Sequence, residues 1–295
     1  MTAAPEGPSG LVVVDKPGGW TSFDVVARIR RLAGTRRVGH AGTLDPMATG
    51  VLVVGVGKAT RLLGHLALTG KVYRATMRLG ETTSTDDAEG ELVATAPAGG
   101  LDERAVLAAL EAFRGQITQV PPQISAIKVD GKRSYARARA GETVELAART
   151  VSVSRLDLEE VRRGAATLDL DLEIACSSGT YIRSMARDLG AALGVGGHLT
   201  ALRRTAVGPY GIDTARTLEQ LVENLELLPL DQAVALGFPR LDVGADDARR
   251  FTHGIRLPAA GLGPGPVGVF GPAGELLALA EDRGPELRSL CVFVG

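Results

Sequence analysis

The chain is poor in the residues on which several common kinds of protein depend. Its 295 residues include two cysteines, Cys176 and Cys291, which lie far apart and have no ligand-type residues beside them. This excludes a disulfide-stapled scaffold and a cysteine-based zinc motif, and it favours a reducing compartment. Residues 1–10 lack the basic and apolar stretches of a signal peptide, and no apolar run approaches a membrane span. We therefore expect a cytoplasmic protein without membrane contacts.

The sequence also lacks an excess of either charge. Its 33 Lys and Arg residues nearly balance 34 Asp and Glu residues, which gives a formal net charge of −1. A uniformly basic coat for nucleic acid is thereby excluded, so any nucleic-acid site must be a local patch. Aromatic residues make up only 4% of the chain, whereas the hydrophobic content of 45% is enough for a core. The length fits one large domain, or a large domain with a small one.

The chain is organised around residues 37–50, with the sequence RVGHAGTLDPMATG, which precede the apolar run Val51-Leu52-Val53-Val54. Three glycines, one proline and two threonines predict a tight irregular loop. The loop carries His40 and Asp45 against the start of a predicted core strand. A carboxylate displayed in this way is well placed for covalent or acid–base chemistry. The Asp-Pro dipeptide alone, however, is a common turn opener and predicts only a structural role.

The longer string GTLDPMATG resembles the catalytic loop of the TruB family of tRNA pseudouridine synthases. In that family the Asp of G-x-L-D-P-x-A-T-G is the essential catalytic residue, so the resemblance implies a catalytic role for Asp45. Other strings over residues 11–210 resemble the same family. They are VDKPGGWTS at 14–22, KVYRA at 71–75, PPQISAIK at 121–128, GKRSYARAR at 131–139, CSSGTYIRS at 176–184 and GVGGHLTALRRTAVG at 194–208.

The resemblance implies roles for five further residues. Arg183 would pair with the catalytic carboxylate and keep it ionised, and Tyr73 would stack on the target uracil and help to remove its C5 proton. Tyr181 and Leu202 would form the other walls of the base pocket. His40 would fill the gap that the extruded base leaves in the RNA and stack on neighbouring bases. Without the resemblance, the sequence would predict only structural roles: a half-buried aromatic on a strand for Tyr73 and a surface charge for Arg183.

The implied reaction is the isomerisation of uridine to pseudouridine at position 55, in the T arm of tRNA. The N1–C1′ bond breaks, the uracil turns and C5 joins C1′, after the base has been flipped out of the RNA. No redox change or external group is needed, so we expect neither a cofactor nor a metal. Asp45 could attack C1′, attack C6 or stabilise an oxocarbenium-like state, and the sequence leaves these open. The expected partner is tRNA, bound by a monomer with no obligatory protein partner.

Two clusters of basic residues are candidates for phosphate contacts. One contains Arg36 and Arg37, directly before the Asp45 loop, and follows the predicted helix that begins at Thr21 or Ser22. The other contains Arg133 and Arg137, with Tyr135 between them. Basic residues interleaved with an aromatic suit an RNA phosphate track, although a solvated helix face would have a similar composition.

The resemblance implies an α+β fold. Residues 1–238 would form a pseudouridine-synthase core with a mixed, mainly antiparallel sheet flanked by helices. From Pro239 the composition changes, and strands predicted at 267–270, 275–280 and 288–294 indicate a small β-rich module. By resemblance, residues 239–295 would be a PUA-like RNA-binding domain. Thr180 is predicted to cap a helix, and residues 80–90 form a polar loop to which we assign no chemistry.

Other functions were weighed against this one. Residues 55–60 fail as a Walker A loop because of Leu52 and Ala59, and as a dinucleotide-binding fingerprint because of Thr60. An aspartyl-phosphate enzyme would need a second Asp two residues after Asp45. His198 has no partner ligands and is read as structural. A non-catalytic tRNA chaperone and a guide-RNA-dependent relative stay open, and we favour the stand-alone bacterial type.

Overall fold

The computed structural model describes residues 7–122, 128–129, 132–133 and 146–294. The strands in this part of the chain are numbered in order. They are β1 Gly10–Lys16, β2 Val38–His40, β3 Thr49–Val56, β4 Lys71–Leu79, β5 Glu81–Thr83, β6 Leu92–Thr95, β7 Gly115–Gln119, β8 Lys128–Val129, β9 Lys132–Arg133, β10 Arg149–Arg163, β11 Leu168–Cys176, β12 Gly197–Val207, β13 Tyr210–Gly211, β14 Arg240–Asp242, β15 Leu257–Pro258, β16 Pro266–Phe270, β17 Leu276–Arg283 and β18 Glu286–Val292.

The α-helices of the described residues are numbered in the same way. They are α1 Ser22–Ala33, α2 Leu63–Leu66, α3 Glu103–Glu111, α4 Ile182–Ala192, α5 Leu218–Glu223, α6 Leu230–Gly237 and α7 Ala245–Thr252. Short 3₁₀ turns cover Gly57–Leu62 and Ile212–Thr214. Among the described residues, no helix combines the length and apolarity needed to cross a membrane.

Nine of the described strands form one sheet, in the order β1-β3-β12-β4-β11-β10-β7, with β2 beside β3 and β13 beside β12. Within this sheet, every described pairing is antiparallel except that of β3 with β12, which joins the two halves of the sheet. The predicted mixed, mainly antiparallel sheet is therefore confirmed. The segment that carries Asp45 runs directly into this central junction.

The junction depends on a glycine. Gly50 has φ +96° and pairs with Arg204, and a Cβ atom on Gly50 would lie 2.2 Å from the Arg204 carbonyl oxygen. Any other residue would have both a strained backbone and a clash with the neighbouring strand.

The predicted irregular loop over residues 37–50 is partly wrong, because Val38–His40 form strand β2 and Thr49 already belongs to β3. Strand β1 pairs with one edge of β3 along its whole length. The opposite edge is shared by β12 at Thr49 and Gly50 and by β2 at Val54–Val56. Hydrogen bonding to the second edge therefore draws residues 38–40 into the sheet, in spite of their glycine content. The irregular part of the segment begins after His40.

The core forms because alternate residues of the strands face the helices. Along β11 the buried residues are Leu168, Leu170, Leu172, Ile174 and Cys176, and the residues between them are only half buried. Helix α1 buries Val25, Val26 and Ile29 against the apolar face of β1 and β3. Burial of such side chains contributes about 1.5–3 kcal/mol each. Helix α1 also has the predicted start, because Thr21 and Asp24 form a reciprocal capping box.

The last strands form a separate five-stranded sheet, in the order β14-β16-β17-β18-β15. The strands predicted in this region are observed, with somewhat different bounds. Phe251 of α7 and Val269 pack in the core of this sheet, whereas Phe270 packs with residues of the large sheet. Lys58 Nζ donates to the Phe293 carbonyl oxygen at 3.0 Å. The C-terminal sheet is thus in direct contact with the rest of the chain.

Candidate active site

A cleft of about 240 Å³ opens beside the sheet junction, between residues 42–45, strand β4 and the start of helix α4. Five residues that the sequence predicted for one site line this cleft together. They are Asp45, Tyr73, Tyr181, Arg183 and Leu202.

The backbone on both sides of Asp45 is fixed by buried polar groups. The Ser22 hydroxyl accepts from the Leu44 amide at 2.9 Å and lies 3.1 Å from the Leu44 carbonyl oxygen. On the other side, Lys16 Nζ donates to the Pro46 carbonyl oxygen at 3.2 Å. Both Ser22 and Lys16 are at most 1% exposed. The position of the Asp45 carboxylate is therefore set by the conformation of its neighbours.

The Arg183 guanidinium lies between two carboxylates. Its Nε is 3.1 Å from Asp45 Oδ2, and its Nη1 is 3.3 Å from Asp87 Oδ2. Nη1 also donates to the Thr85 carbonyl oxygen at 3.1 Å. The Arg183 and Asp87 side chains are 5% and 3% exposed, so both charges are compensated inside the protein rather than by water.

The surroundings of Asp45 raise the pKa of its carboxyl group. Burial is the largest cause, and the charge of Asp87 acts in the same direction, whereas Arg183 and Lys16 lower this pKa. Although 37% of the Asp45 side chain is exposed, it is exposed to a narrow cleft. Without Arg183 the carboxyl group would be harder still to ionise.

Tyr181 is positioned by the end of strand β7. It is the N-cap of helix α4 but makes no side-chain cap. Instead, the Gln119 side chain accepts from the Tyr181 amide at 3.1 Å and donates to its carbonyl oxygen at 3.3 Å. The Arg149 guanidinium lies 5.5 Å from the centre of the Tyr181 ring. The predicted cap by Thr180 is wrong, because the Thr180 hydroxyl donates to the Ser177 carbonyl oxygen.

Tyr73 lies on β4 with 7% of its surface exposed. Burial raises the pKa of its phenol, and the charge of Arg204 and a hydrogen bond with it oppose this change. The phenol is therefore neutral at physiological pH. The tyrosine ring forms one wall of the cleft, and Leu202, two residues before Arg204 on β12, forms another.

Arg204 connects strand β12 to the segment that carries Asp45. It is 1% exposed. Its Nε donates to the Val51 carbonyl oxygen at 2.7 Å, and its Nη2 donates to the Gly42 carbonyl oxygen at 3.0 Å. Lys71, which also lines the cleft, donates from Nζ to the carbonyl oxygens of Ala67 and Thr69. Burial lowers the pKa of Lys71 to about 8.

Sequence reasoning assigned no role to four of these residues: Lys16, Lys71, Asp87 and Arg204. Lys16 and Lys71 lie within the strings VDKPGGWTS and KVYRA, so a signal was available for them. Asp87 lies in the polar loop over residues 80–90. Nothing in its local sequence indicates that it contacts an arginine 96 positions later in the chain.

Three other predicted residues that the structure describes, His40, Arg36 and Arg37, do not line the cleft. His40 is on β2, with its ring centre 5.8 Å from that of Phe23 and the two ring planes at 88°. Arg36 and Arg37 are exposed just before β2. The side chain of Arg133 and the whole of Arg137 lie outside the described residues. His198 is buried on β12, with Nδ1 3.2 Å from the Glu81 carbonyl oxygen, as expected for a structural residue.

Within the described ranges, no three His, Cys, Asp or Glu side chains are grouped as a metal site would require. The cleft itself offers a carboxylate beside a guanidinium, with aromatic and apolar side chains among its walls.

Three family models match the chain in succession. Residues 30–182 match "TruB family pseudouridylate synthase (N terminal domain)" and residues 183–235 match "tRNA pseudouridylate synthase B C-terminal domain". Residues 238–294 match "tRNA Pseudouridine synthase II, C terminal".

Curated relatives match over nearly the whole chain. The chain is 62% identical to the tRNA pseudouridine synthase B of Thermobifida fusca, over 97% of this chain and 99% of the relative. It is 56% identical to the protein of the same name from Streptomyces griseus, over 99% of this chain and 100% of the relative. Among solved structures, a Cbf5-Nop10-Gar1 complex contains a chain with TM-score 0.75 and 29% identity, aligned over 97% of this chain and 85% of that one.

Proposed function

The chain belongs to the TruB family of pseudouridylate synthases, and from this membership we propose that it converts uridine 55 in the T arm of tRNA into pseudouridine. The observation that carries the proposal is the contact of Asp45 with Arg183 in a cleft that two tyrosines and Leu202 also line. A nucleophilic or charge-stabilising carboxylate and a flat apolar pocket for a detached base are what this isomerisation requires.

In the proposed reaction, Asp45 acts as an ionised carboxylate on the ribosyl–uracil unit. It attacks C1′, attacks C6 or stabilises positive charge at C1′ while the N1–C1′ bond breaks. The uracil then turns and C5 bonds to C1′, and any covalent bond to Asp45 breaks. The C5 proton passes to a base or to solvent and N1 gains a proton, so the product is an isomer of the substrate. Arg183 is essential to this scheme because a protonated carboxyl group is no nucleophile, and burial favours protonation of Asp45.

The other cleft residues would bind the detached uracil. Tyr73 stacks on its face, and Tyr181 and Leu202 prevent it from diffusing away while it turns. The Tyr73 phenol is neutral. It can therefore accept the C5 proton only if it gives its own proton to another acceptor in the same step.

The uridine has to leave the folded T arm before it can reach Asp45. Flipping costs a few kcal/mol, which contacts of cationic side chains with RNA phosphates can offset. We assign such contacts to Arg36 and Arg37, and to Arg133 and Arg137 by resemblance alone. His40, at the end of β2, would enter the gap that the base leaves.

We further propose that the enzyme acts as a monomer, without a guide RNA or protein partner. Relatives that match the chain from end to end are named for tRNA modification, which supports tRNA as the substrate. The alternative is an enzyme that needs partners. It should be tested because the structural neighbour was solved in a Cbf5-Nop10-Gar1 complex. Residues 1–238 would be the catalytic domain, and residues 239–295 a PUA-like RNA-binding domain.

The test uses purified full-length protein and unmodified tRNA transcript, with no other protein or RNA. Pseudouridine should appear at position 55 alone, and the Asp45→Asn variant should bind the transcript with wild-type affinity but form none. Near-wild-type modification by Asp45→Asn would remove the catalytic assignment. No modification by the wild type would indicate a chaperone, and modification that appears only with added partners would indicate a guided enzyme.

A further inference from the structure

Two aromatic side chains beside the catalytic segment are exposed. Trp20 is 38% exposed and Phe23 is 55% exposed, whereas the other described Phe and Tyr residues are buried or half buried. The two exposed aromatics lie three positions apart in a chain with one tryptophan and 4% aromatic residues. Contiguous exposed apolar surface often marks a binding site.

This exposed pair is joined rigidly to the candidate active site. Lys16 Nζ donates to the carbonyl oxygens of Trp20 at 2.7 Å and of Pro46 at 3.2 Å, so one buried ammonium binds both segments. Ser22, between the two aromatics, makes the hydrogen bonds to Leu44 described above. The aromatic pair therefore keeps its position relative to Asp45.

The rings of Phe23 and His40 form a corner. Their planes are nearly perpendicular, at 88°, with 5.8 Å between the ring centres. A planar base can stack on one ring of such a corner while its edge contacts the other. Planar heterocycles are the ligands that exposed aromatic rings bind in RNA-binding proteins, because every base has a π face.

The charges around the corner favour one orientation of a bound RNA strand. Arg37 lies three residues before His40, so their Cα atoms are about 10 Å apart along the extended chain. On the other side, the Asp24 carboxylate caps helix α1 and would repel a phosphate group placed over Phe23. The phosphates are thus favoured toward Arg36 and Arg37, and the base toward Trp20 and Phe23.

We propose that Trp20 and Phe23 form a stacking surface for an unpaired RNA base that neighbours the target uridine. The inference rests on the proposed function, because it takes the RNA to be the one whose uridine enters the Asp45 cleft. It adds to that function a second binding site, specific for a base rather than for a phosphate.

Trp20 is the chain's single tryptophan, so its fluorescence reports on this surface alone. Full-length protein is titrated with a labelled, unmodified T-arm hairpin, and RNA anisotropy and Trp20 fluorescence are recorded together. We expect saturable quenching with the same Kd as the anisotropy. Trp20→Leu and Phe23→Leu should each weaken binding about fivefold or more, which is the range measured for loss of one base stack.

A matched variant and a salt series separate stacking from other causes. Leu236→Ala removes another exposed apolar side chain, on helix α6, and should bind as the wild type does. Phe23→Leu should leave the slope of log Kd against log salt unchanged, whereas Arg36→Gln with Arg37→Gln should flatten it. Hairpins that lack one loop base in turn identify the stacked base, because Phe23→Leu should cause no further loss with that RNA.

The outcomes distinguish this inference from the proposed function. If the wild type binds and modifies the hairpin while both leucine variants bind within twofold of it and Trp20 fluorescence is constant, the stacking surface is wrong and the function stands. If quenching and the variant defects occur without pseudouridine formation, the surface stands and the function is wrong. Absence of both binding and modification overturns both.

Discussion

Asp87 contacts a different nitrogen of Arg183 from the one that faces Asp45, with 3.3 Å between Asp87 Oδ2 and Arg183 Nη1. The loop that carries Asp87 is itself attached to strand β12. The Ala88 amide donates to the Leu199 carbonyl oxygen, and the Leu199 amide donates to that of Asp86. Arg183 is therefore oriented by the sheet as well as by its own helix, and Asp45 meets a cation whose position is already determined.

The first prediction concerns Asp87→Asn, which keeps the shape of the side chain and removes its charge. Arg183 retains Asp45 and the Thr85 carbonyl oxygen, so we expect a loss of about 1–3 kcal/mol of stability rather than unfolding. Small displacements of catalytic groups are costly, so the single-turnover rate should fall roughly tenfold or more while RNA affinity is kept. Asp86→Asn is the control, because Asp86 pairs with Arg187 at 3.0 Å. Equal rate losses in the two variants would contradict a specific role for Asp87.

The second prediction is the pH dependence of the rate. Burial and Asp87 raise the pKa of Asp45, so the rate should fall with decreasing pH, through a midpoint above the ordinary value of 3.8. Arg183 lowers this pKa, so Arg183→Gln should move the midpoint to higher pH, and Asp87→Asn should move it to lower pH. Single-turnover rates with saturating RNA measure both. Shifts in the same direction would disprove this electrostatic account.

The third prediction follows from the same pKa but concerns stability. A carboxyl group whose pKa is raised by folding favours the folded state only while it is protonated. Above that pKa the ionised Asp45 destabilises the fold. Asp45→Asn should therefore be more stable than the wild type at pH 7, and the difference should shrink as the pH falls through the pKa of Asp45. Urea unfolding across this pH range measures it, and a constant difference would refute the assignment.

The fourth prediction tests the junction of the two halves of the sheet. Gly50→Ala places a methyl group 2.2 Å from the Arg204 carbonyl oxygen, at φ +96°. Strain and overpacking together should cost about 2–4 kcal/mol of stability. Gly64→Ala, in helix α2, is the control, because its Cβ would meet no atom within 4 Å. That variant should be neutral or up to about 1 kcal/mol more stable. Similar melting temperatures for the two variants would contradict the close approach.

The sequence was sufficient where structure follows from local patterns. The capping residue of α1 and the alternation of β4 are local, so the predicted start of the helix at Thr21 or Ser22 and the predicted strand position of Tyr73 are both observed. Strand β12 was missed because its pairing with β4 shifts register between Leu199 and Ala201 and again between Arg204 and Ala206. Each shift interrupts the period of two that identifies a strand.

For the site, family motifs found the residues that line the cleft but not those that fix them. Asp45, Tyr73 and Arg183 lie in strings whose family roles can be compared. Arg204 lies in such a string too, but it and Asp87 act through contacts that only the folded chain creates. Arg204 in particular looks like a surface charge in the run Leu202-Arg203-Arg204-Thr205. The first register shift of β12 and the parallel pairing with Gly50 place it inside the protein.

The fifth prediction uses this contrast between neighbouring arginines. Arg204 donates to the carbonyl oxygens of Val51 and Gly42, and a lysine ammonium at the same position cannot span both. Arg204→Lys should lose about 2–4 kcal/mol of stability and slow turnover more than it weakens RNA binding, because both the Asp45 segment and Tyr73 lose a fixed partner. Arg203→Lys is the control, since Arg203 is 42% exposed and pairs with Asp15.

A positioning role also predicts chemical rescue of the Arg204→Ala variant. Guanidinium ion, added well below the concentrations that unfold the protein, should occupy the vacated space and restore part of the single-turnover rate. Ammonium ion of equal charge should restore less, because it lacks the planar array of donors that faces the carbonyl oxygens. A wild-type turnover rate for the Arg204→Lys variant, or equal rescue by the two ions, would contradict the positioning role. Either result would mean that the charge of Arg204 matters and the arrangement of its donors does not.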